Sequence, residues 1–208
     1  MEEVAFITLT NAGYLEFTLN CYESLKQIGH ENSLTSYVIG ESSYNTLRKN
    51  GHPCVLIDEM KSKHEKLYYY RKNGWGDLMF QKIKIVHSML KTHKYVCITD
   101  GDIVFEDPNF MNYCIENIKD LDILFQSNKL NDEEKVICGG FAFIKSNEKT
   151  LKMYDISDIQ PKNIKTEQDF LKGRMKKYYI KKDCLPLELY PNGRYYYENR
   201  NKSPYMIH

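Results

Sequence analysis

The sequence is poor in the signals that settle a function quickly. It has no run of about 18 apolar residues, so no membrane-spanning helix is expected. It has almost no net charge: 29 Lys and Arg stand against 28 Asp and Glu, a formal +1. That balance argues against a nucleic-acid binder, which needs a basic footprint. Its six cysteines form no C-x-x-C pair, and no close Cys/His pairs offer zinc spacing. They lie scattered in apolar runs, as free thiols do in a reducing compartment, so a cytoplasmic protein is expected. The start, Met1-Glu2-Glu3, lacks the basic and apolar regions of an export signal. No G-x-x-x-x-G-K-[ST] loop is present, no G-x-G-x-x-G follows the first apolar run, and there is no G-x-S-x-G elbow. Repeats and low-complexity tracts are missing too, and 208 residues suit one domain.

What is there alternates between short apolar strands and amphipathic helices. Val4 to Thr10 is apolar, β-branched and uncharged, the mark of a buried strand. Leu15, Leu19, Tyr22, Leu25 and Ile28 then recur at helical spacing, and Gly29 is the stop. Ser36 to Gly40, Glu41 to Lys49 and Cys54 to Ile57 continue as strand, helix and strand. Asp77 caps a helix to about Thr92, with Leu78, Ile85 and Met89 on its apolar stripe and Gln81, Lys84, Ser88 and Lys91 on its polar one. Tyr95 to Thr99 is a fourth buried strand, and a helix is expected from Glu106 to about Ile118. Asp122 to Phe125 and Val136 to Ile144 add strands; Ser146 to Tyr154 and a segment capped by Thr166 add helices. This alternation predicts an α/β domain over 1–208, standing alone or as one domain of a longer protein. Its central sheet is mainly parallel with helices on both faces. Asp58 to Gly76 is polar and long for a connection, so a mobile loop is expected there, hinged at Gly74 and Gly76 around Trp75.

Asp100-Gly101-Asp102 ends the most buried-looking strand. In open α/β sheets ligands bind at the carboxyl ends of strands. Two carboxylates this close repel each other, and a divalent cation such as Mg²⁺ or Mn²⁺ relieves the repulsion while sharing phosphate oxygens. Gly101 lets a phosphate approach the backbone. Gly139-Gly140 interrupts a strand and permits close approach of another group. Glu167 and Gln168 open a helix, where unpaired N–H groups emerge. Tyrosine accounts for 17 residues. Tyr68–Tyr70, Trp75 and Tyr195–Tyr197 are either core packing or aromatic platforms for a ligand.

The segment Tyr95-Val-Cys-Ile-Thr-Asp100-Gly-Asp102-Ile-Val-Phe-Glu-Asp-Pro108 resembles the metal-binding stretch of nucleotide-diphospho-sugar transferases with the GT-A fold. Three further segments fall in the family's order. Val136 to Ile144 is similar to its small-Gly-x-apolar strand along the donor sugar. Thr166-Glu-Gln-Asp-Phe-Leu171 is similar to its Asp-Gln-Asp-x-Leu helix start, with Glu167 where Asp is commoner. Tyr205 to His208 resembles its strand ending in a metal-binding His. The resemblance covers nearly the whole chain and implies a GT-A-like single domain.

It also implies roles. Asp100, Asp102 and His208 would bind Mn²⁺ or Mg²⁺, which holds the diphosphate and stabilises the leaving group. Thr8, Thr10, Asn11 and Ala12 would hold the base and ribose. Lys82 would meet donor hydroxyls or phosphate, with Asp100 and Gly101 beside the diphosphate. Gly139, Gly140, Glu167 and Gln168 would line the sugar. Asp102, Glu167 and Gln168 would form the catalytic group, the Gln168 dipole supporting oxocarbenium-like charge. Cys138 stands where Asn or Ser is usual, so one sugar hydrogen bond is absent.

The function expected is therefore a metal-dependent glycosyltransferase. It would move a hexose or pentose from a nucleotide-sugar, a UDP-sugar first of all, to a glycan or small carbohydrate acceptor, with retention. Two alternatives stand beside it. A nucleotidyltransferase that makes nucleotide sugars would want a Gly-rich, basic loop after the first strand, and Asn11-Ala12-Gly13-Tyr14 is not one. A non-catalytic carbohydrate-binding domain would not need Asp100 and Asp102 intact.

Overall fold

The computed structural model describes residues 2–60, 74–164, 166–199 and 203–208. The chain opens with β1 (Glu2–Thr10), α1 (Leu15–Gln27), β2 (Thr35–Val38), α2 (Glu41–Lys49) and β3 (Cys54–Leu56). It continues through α3 (Trp75–Leu90), β4 (His93–Thr99), β5 (Val104–Phe105), α4 (Phe110–Asn117), β6 (Ile123–Ser127) and β7 (Ile137–Lys145). It closes with α5 (Glu148–Tyr154), α6 (Glu167–Lys177), β8 (Lys182–Cys184), α7 (Gly193–Asn199) and β9 (Met206–Ile207).

Seven of these strands form one sheet in the order β3-β2-β1-β4-β7-β6-β8, and β5 pairs with β9 in a separate ribbon. The sheet is mixed and mostly parallel. β1 runs parallel to β2 and β4, β2 to β3, and β6 to β8, whereas β7 is antiparallel to both β4 and β6. The connection from Ser127 to Ile137 is too short for a crossover helix, so β7 has to return antiparallel.

Side chains alternate across the sheet with period two. Phe6, Cys97, Leu124, Phe141 and Phe143 pack on one face with Cys21, Tyr22 and Leu25 of α1, Leu47 of α2 and Phe110 and Cys114 of α4. Ala5, Ile7, Val96, Ile98, Phe125 and Ile144 pack on the other with Ile83, Val86 and Leu90 of α3, Met153 of α5 and Leu171 of α6. Helices thus cover both faces, as the alternation predicted. β1 is flanked by β2 on one side and β4 on the other, so the winding direction reverses between β1 and β4. Crevices form at such a switch point.

Several elements differ from the sequence expectation. α3 starts at Trp75, and its cap is Gly74 in the left-handed region (φ 87°), which glycine adopts freely. Asp77 lies in the first turn instead, where its charge suits the helix dipole. Gln81 is buried despite its place on the polar stripe. Gly76 is a packing glycine and not a hinge: a Cβ there would stand 2.8 Å from the Ile164 carbonyl oxygen. Of the expected loop, Asp58–Met60 forms a 3-10 turn. Residues 61–73, with Tyr68–Tyr70, lie outside the described ones.

α4 begins only at Phe110. The N–H groups of Glu106 and Asp107 both donate to the Tyr205 carbonyl, and Asp107 Oδ1 accepts from Asn109 N–H at 2.7 Å, which holds 106–109 out of the helix. β8 and α7 carry little apolar periodicity and had no strong signal. α7 forms on Asn192, whose Oδ1 accepts from Tyr195 N–H at 3.0 Å. Thr166 caps α6 as expected, accepting from Asp169 N–H. All six cysteines are unpaired. Among the described residues no helix is long and apolar enough to cross a membrane.

Candidate active site

A cavity of about 310 Å³ opens at the carboxyl ends of β1 and β4, where the winding reverses. Thr10 and Asn11 end β1 on its wall; Asp100, Gly101 and Asp102 follow β4; Lys82 comes from α3; Gly139 and Gly140 come from β7; Glu167 and Gln168 open α6. Of the residues expected to bind donor, Thr8 and Ala12 are not on the wall. Thr8 is buried one turn of the pleat earlier in β1, and Ala12 is exposed in the turn beyond it. Trp75 does line the cavity, with Leu9, Leu78 and Met79, so it faces the β1 end of the site. Tyr195, Tyr196 and Tyr197 lie on α7, away from this wall.

The Asp100-Gly101-Asp102 turn is held from two sides. Asp100 N–H donates to the Gly140 carbonyl at 2.6 Å. On the other side α1 presses against Gly101, where a Cβ would lie 2.5 Å from Thr18 Oγ1. No larger residue fits without moving Thr18, whose hydroxyl is itself tied to Thr10 Oγ1 at 2.8 Å. The glycine is therefore required by packing as well as by access.

Lys82 is not on a solvated helix face. It is buried, and its three ammonium protons meet Asp100 Oδ1, Glu167 Oε2 and the Gly139 carbonyl, each at 2.9 Å. Burial works against its charge, but Asp100 and Glu167 outweigh burial and hold the ammonium above its ordinary range. Burial pushes the Glu167 carboxyl up, and Lys82 opposes this without cancelling it. The lysine thus ties three separate elements together on the cavity wall.

Gly139 and Gly140 leave room, but the room is already taken. A Cβ at Gly139 would meet Glu167 Oε2 at 3.3 Å, and one at Gly140 would stand 2.1 Å from Cε1 of His208. Gly140 thus lines the cavity and also seats the histidine.

Asp100, Asp102 and His208 bring one ligand atom each to within 4.8 Å of one another. His208 Nε2 is 3.5 Å from Asp102 Oδ1. Ligands at about 2.1 Å from an octahedral cation sit roughly 3 Å apart, so the spacing suits one ion. The two carboxylates suit Mg²⁺ or Mn²⁺, and the imidazole favours the softer Mn²⁺ of the two. For His208, burial disfavours the charged ring, but Asp102, Cys138 and Asp100 prevail and raise it to about 10. Burial would raise Asp102, yet the hydrogen bond and charge of His208, with Lys82, lower it overall. Tyr14 also faces the pair: burial, then Asp102 and Asp100, push its phenol up.

Residues 34–208 match the nucleotide-diphospho-sugar transferases. The chain belongs to this family. A UDP-galactose:fucoside alpha-3-galactosyltransferase of Dictyostelium discoideum is 23% identical over all of this chain, which spans 40% of that relative's length. The fold is similar to that of galactosyltransferase LgtC solved with donor and acceptor sugar analogs. There the TM-score is 0.61 at 12% identity, over 99% of this chain and 86% of LgtC. It is also similar to CMP:2-keto-3-deoxy-manno-octonic acid synthetase complexed with CTP, with TM-score 0.55 at 9% identity, over 89% of this chain and 90% of that one. At such identities the likeness is one of fold, and transferases and nucleotide-sugar synthetases share it.

Sequence reasoning missed two groups of this transferase. Asn128, on the wall just beyond β6, falls between the expected strands 122–125 and 136–144 and carries no motif. Gln126 is buried in β6 with its amide against His208, and an isolated glutamine in an apolar strand was the only available signal.

Proposed function

We propose that this transferase moves a hexose, galactose first of all, from a UDP-sugar to a hydroxyl of a carbohydrate acceptor, using Mn²⁺ or Mg²⁺. The observation that carries the reading is the cluster of Asp100, Asp102 and His208 at the β1/β4 crevice. The donor sugar and base come from the name of the Dictyostelium relative. UDP-galactose carries its sugar in α linkage, so an α product, as in that relative's name, means retention.

Asp100, Asp102 and His208 would hold the cation, whose charge eases departure of the diphosphate. Leu9, Leu78, Met79 and Trp75 supply an apolar wall for the base beside Thr10 and Asn11. Gln168 Nε2 donates to the Ile137 carbonyl at 3.4 Å, which turns the amide oxygen away from that backbone. A fixed amide oxygen supports positive charge developing at the anomeric carbon. Lys82, with its donors committed, keeps Asp100 and Glu167 in place. The bond from the anomeric carbon to the diphosphate oxygen breaks as the acceptor oxygen bonds to that carbon. The acceptor proton leaves with the diphosphate.

Calorimetry with UDP and GDP, in Mn²⁺ and in EDTA, tests the nucleotide and metal; transfer from UDP-galactose and UDP-glucose, with the product anomer read by NMR, tests the rest. Tighter UDP binding in Mn²⁺ and an α product are expected. Equal affinity in EDTA overturns the metal, and a β product overturns retention.

A further inference from the structure

We infer that Gln126 is a positioning residue: its amide locks the His208 ring with Nδ1 protonated, so that Nε2 is the atom offered to the cation. The inference rests on the reading of Asp100, Asp102 and His208 as the metal site. Gln126 is fully buried (0% exposed) in a strand whose preceding residues, Ile123, Leu124 and Phe125, are apolar. It is not on the cavity wall, so contact with substrate does not explain it.

The orientation of its amide follows from its neighbours. One end lies 2.9 Å from the Pro191 carbonyl oxygen and 3.4 Å from that of Tyr190. Carbonyls only accept, so this end is Nε2. The other end, Oε1, is then the atom 2.7 Å from His208 Nδ1. An amide oxygen also only accepts, so Nδ1 must carry the proton. In the neutral ring the lone pair falls on Nε2, which is the nitrogen near Asp102. Hydrogen bonding at the far nitrogen of a ligating histidine sets both tautomer and ring angle.

The backbone around the ring fits this role. The β6–β7 register shifts between Phe125, opposite Ala142, and Gln126, opposite Cys138. The shift takes 139–141 out of the ladder at the point where Gly140 underlies the imidazole. Cys138 Sγ lies 3.7 Å from the same Nδ1. The Pro191 carbonyl that holds Gln126 also accepts from His208 N–H at 3.3 Å, so one peptide fixes both the amide and the histidine backbone. A leucine would fill the volume of Gln126 but supply none of these bonds.

The experiment has two arms. In Mg²⁺- and UDP-loaded wild-type protein with ¹⁵N-labelled histidine, long-range ¹H–¹⁵N spectra should show His208 protonated at Nδ1 and not at Nε2. In parallel, Mn²⁺ affinity is measured by titration with electron paramagnetic resonance, beside UDP affinity in EDTA. Gln126→Leu should weaken Mn²⁺ binding roughly 10–100-fold and leave UDP affinity in EDTA unchanged. Gln126→Glu, which keeps an acceptor oxygen for Nδ1 but loses the donor to the Pro191 and Tyr190 carbonyls, should regain only part of the loss. A ring protonated at Nε2 overturns the inference, and that spectrum needs no variant. Unchanged Mn²⁺ affinity in Gln126→Leu overturns it as well. His208→Asn and Asp102→Asn serve as controls: if both bind Mn²⁺ like wild type, it is the metal-site reading that fails.

Discussion

Lys82 Nζ and Glu167 Oε2 meet at 2.9 Å with side chains only 5% and 6% exposed. Removing one partner of a buried pair leaves an uncompensated charge, at a cost of about 3–5 kcal/mol. Lys82→Met should therefore lower the melting temperature by on the order of 10 °C. Burial already raises the Glu167 carboxyl, and without Lys82 it rises further. The folded state then binds the proton more tightly than the unfolded one. Stability of the variant should fall as pH rises above the ordinary glutamate range, so the deficit against wild type is larger at pH 8 than at pH 5. Adding Glu167→Gln should recover part of the loss at pH 8. Thermal melts of the three proteins at both pH values check this.

Gly140→Ala should act on the metal site and not on the fold as a whole. The added Cβ would stand 2.1 Å from Cε1 of His208, so the ring must move. Mn²⁺ affinity is expected to drop roughly 10–100-fold, measured by direct titration. Gly139→Ala, whose Cβ meets Glu167 Oε2 at 3.3 Å, should spare the metal affinity.

Asp102→Asn should bring UDP affinity in Mn²⁺ down to the value in EDTA. Its side chain is 41% exposed, so the melting temperature should hardly change. Calorimetry and a thermal melt on one preparation separate the two effects; a large loss of stability with metal-dependent binding intact would contradict the assignment.

Gln168→Ala should cut kcat by roughly 10²–10³-fold while UDP affinity stays close to wild type. The amide oxygen acts where charge develops, and that interaction exists mainly in the transition state. Steady-state transfer rates beside UDP titration give the comparison. Parallel losses of both would place Gln168 at the diphosphate.

Much of the site was legible because its residues sit at element ends, where sequence punctuation is strongest. Asp100 and Asp102 follow a run of buried β-branched and apolar residues, and Glu167 and Gln168 follow the capping Thr166. Thr10 and Asn11 end the first strand and do reach the cavity, whereas Thr8, two residues earlier, is enclosed by the sheet. Lys82 was legible as a residue and not as an environment: it falls on the apolar stripe, four residues after Leu78 and three before Ile85, and only Asp100, Glu167 and Gly139, from three other segments, make its burial possible. Gln126 had no local signal beyond being a glutamine that follows an apolar run.

The sequence by itself determined the elements and their alternation, because apolar period, caps and glycine stops are local. It also determined that two carboxylates would stand at a strand end. Only the tertiary structure decided that β7 runs antiparallel, because pairing direction depends on how a short connection must return. Only it decided that His208 lies over Gly140 against Gln126, since residues 82 positions apart are brought together by the docking of the chain's last strand on β5 and on the Leu189–Pro191 carbonyls. Long-range packing of this kind leaves no period in the sequence; it shows there as two adjacent glycines and one glutamine among apolar neighbours.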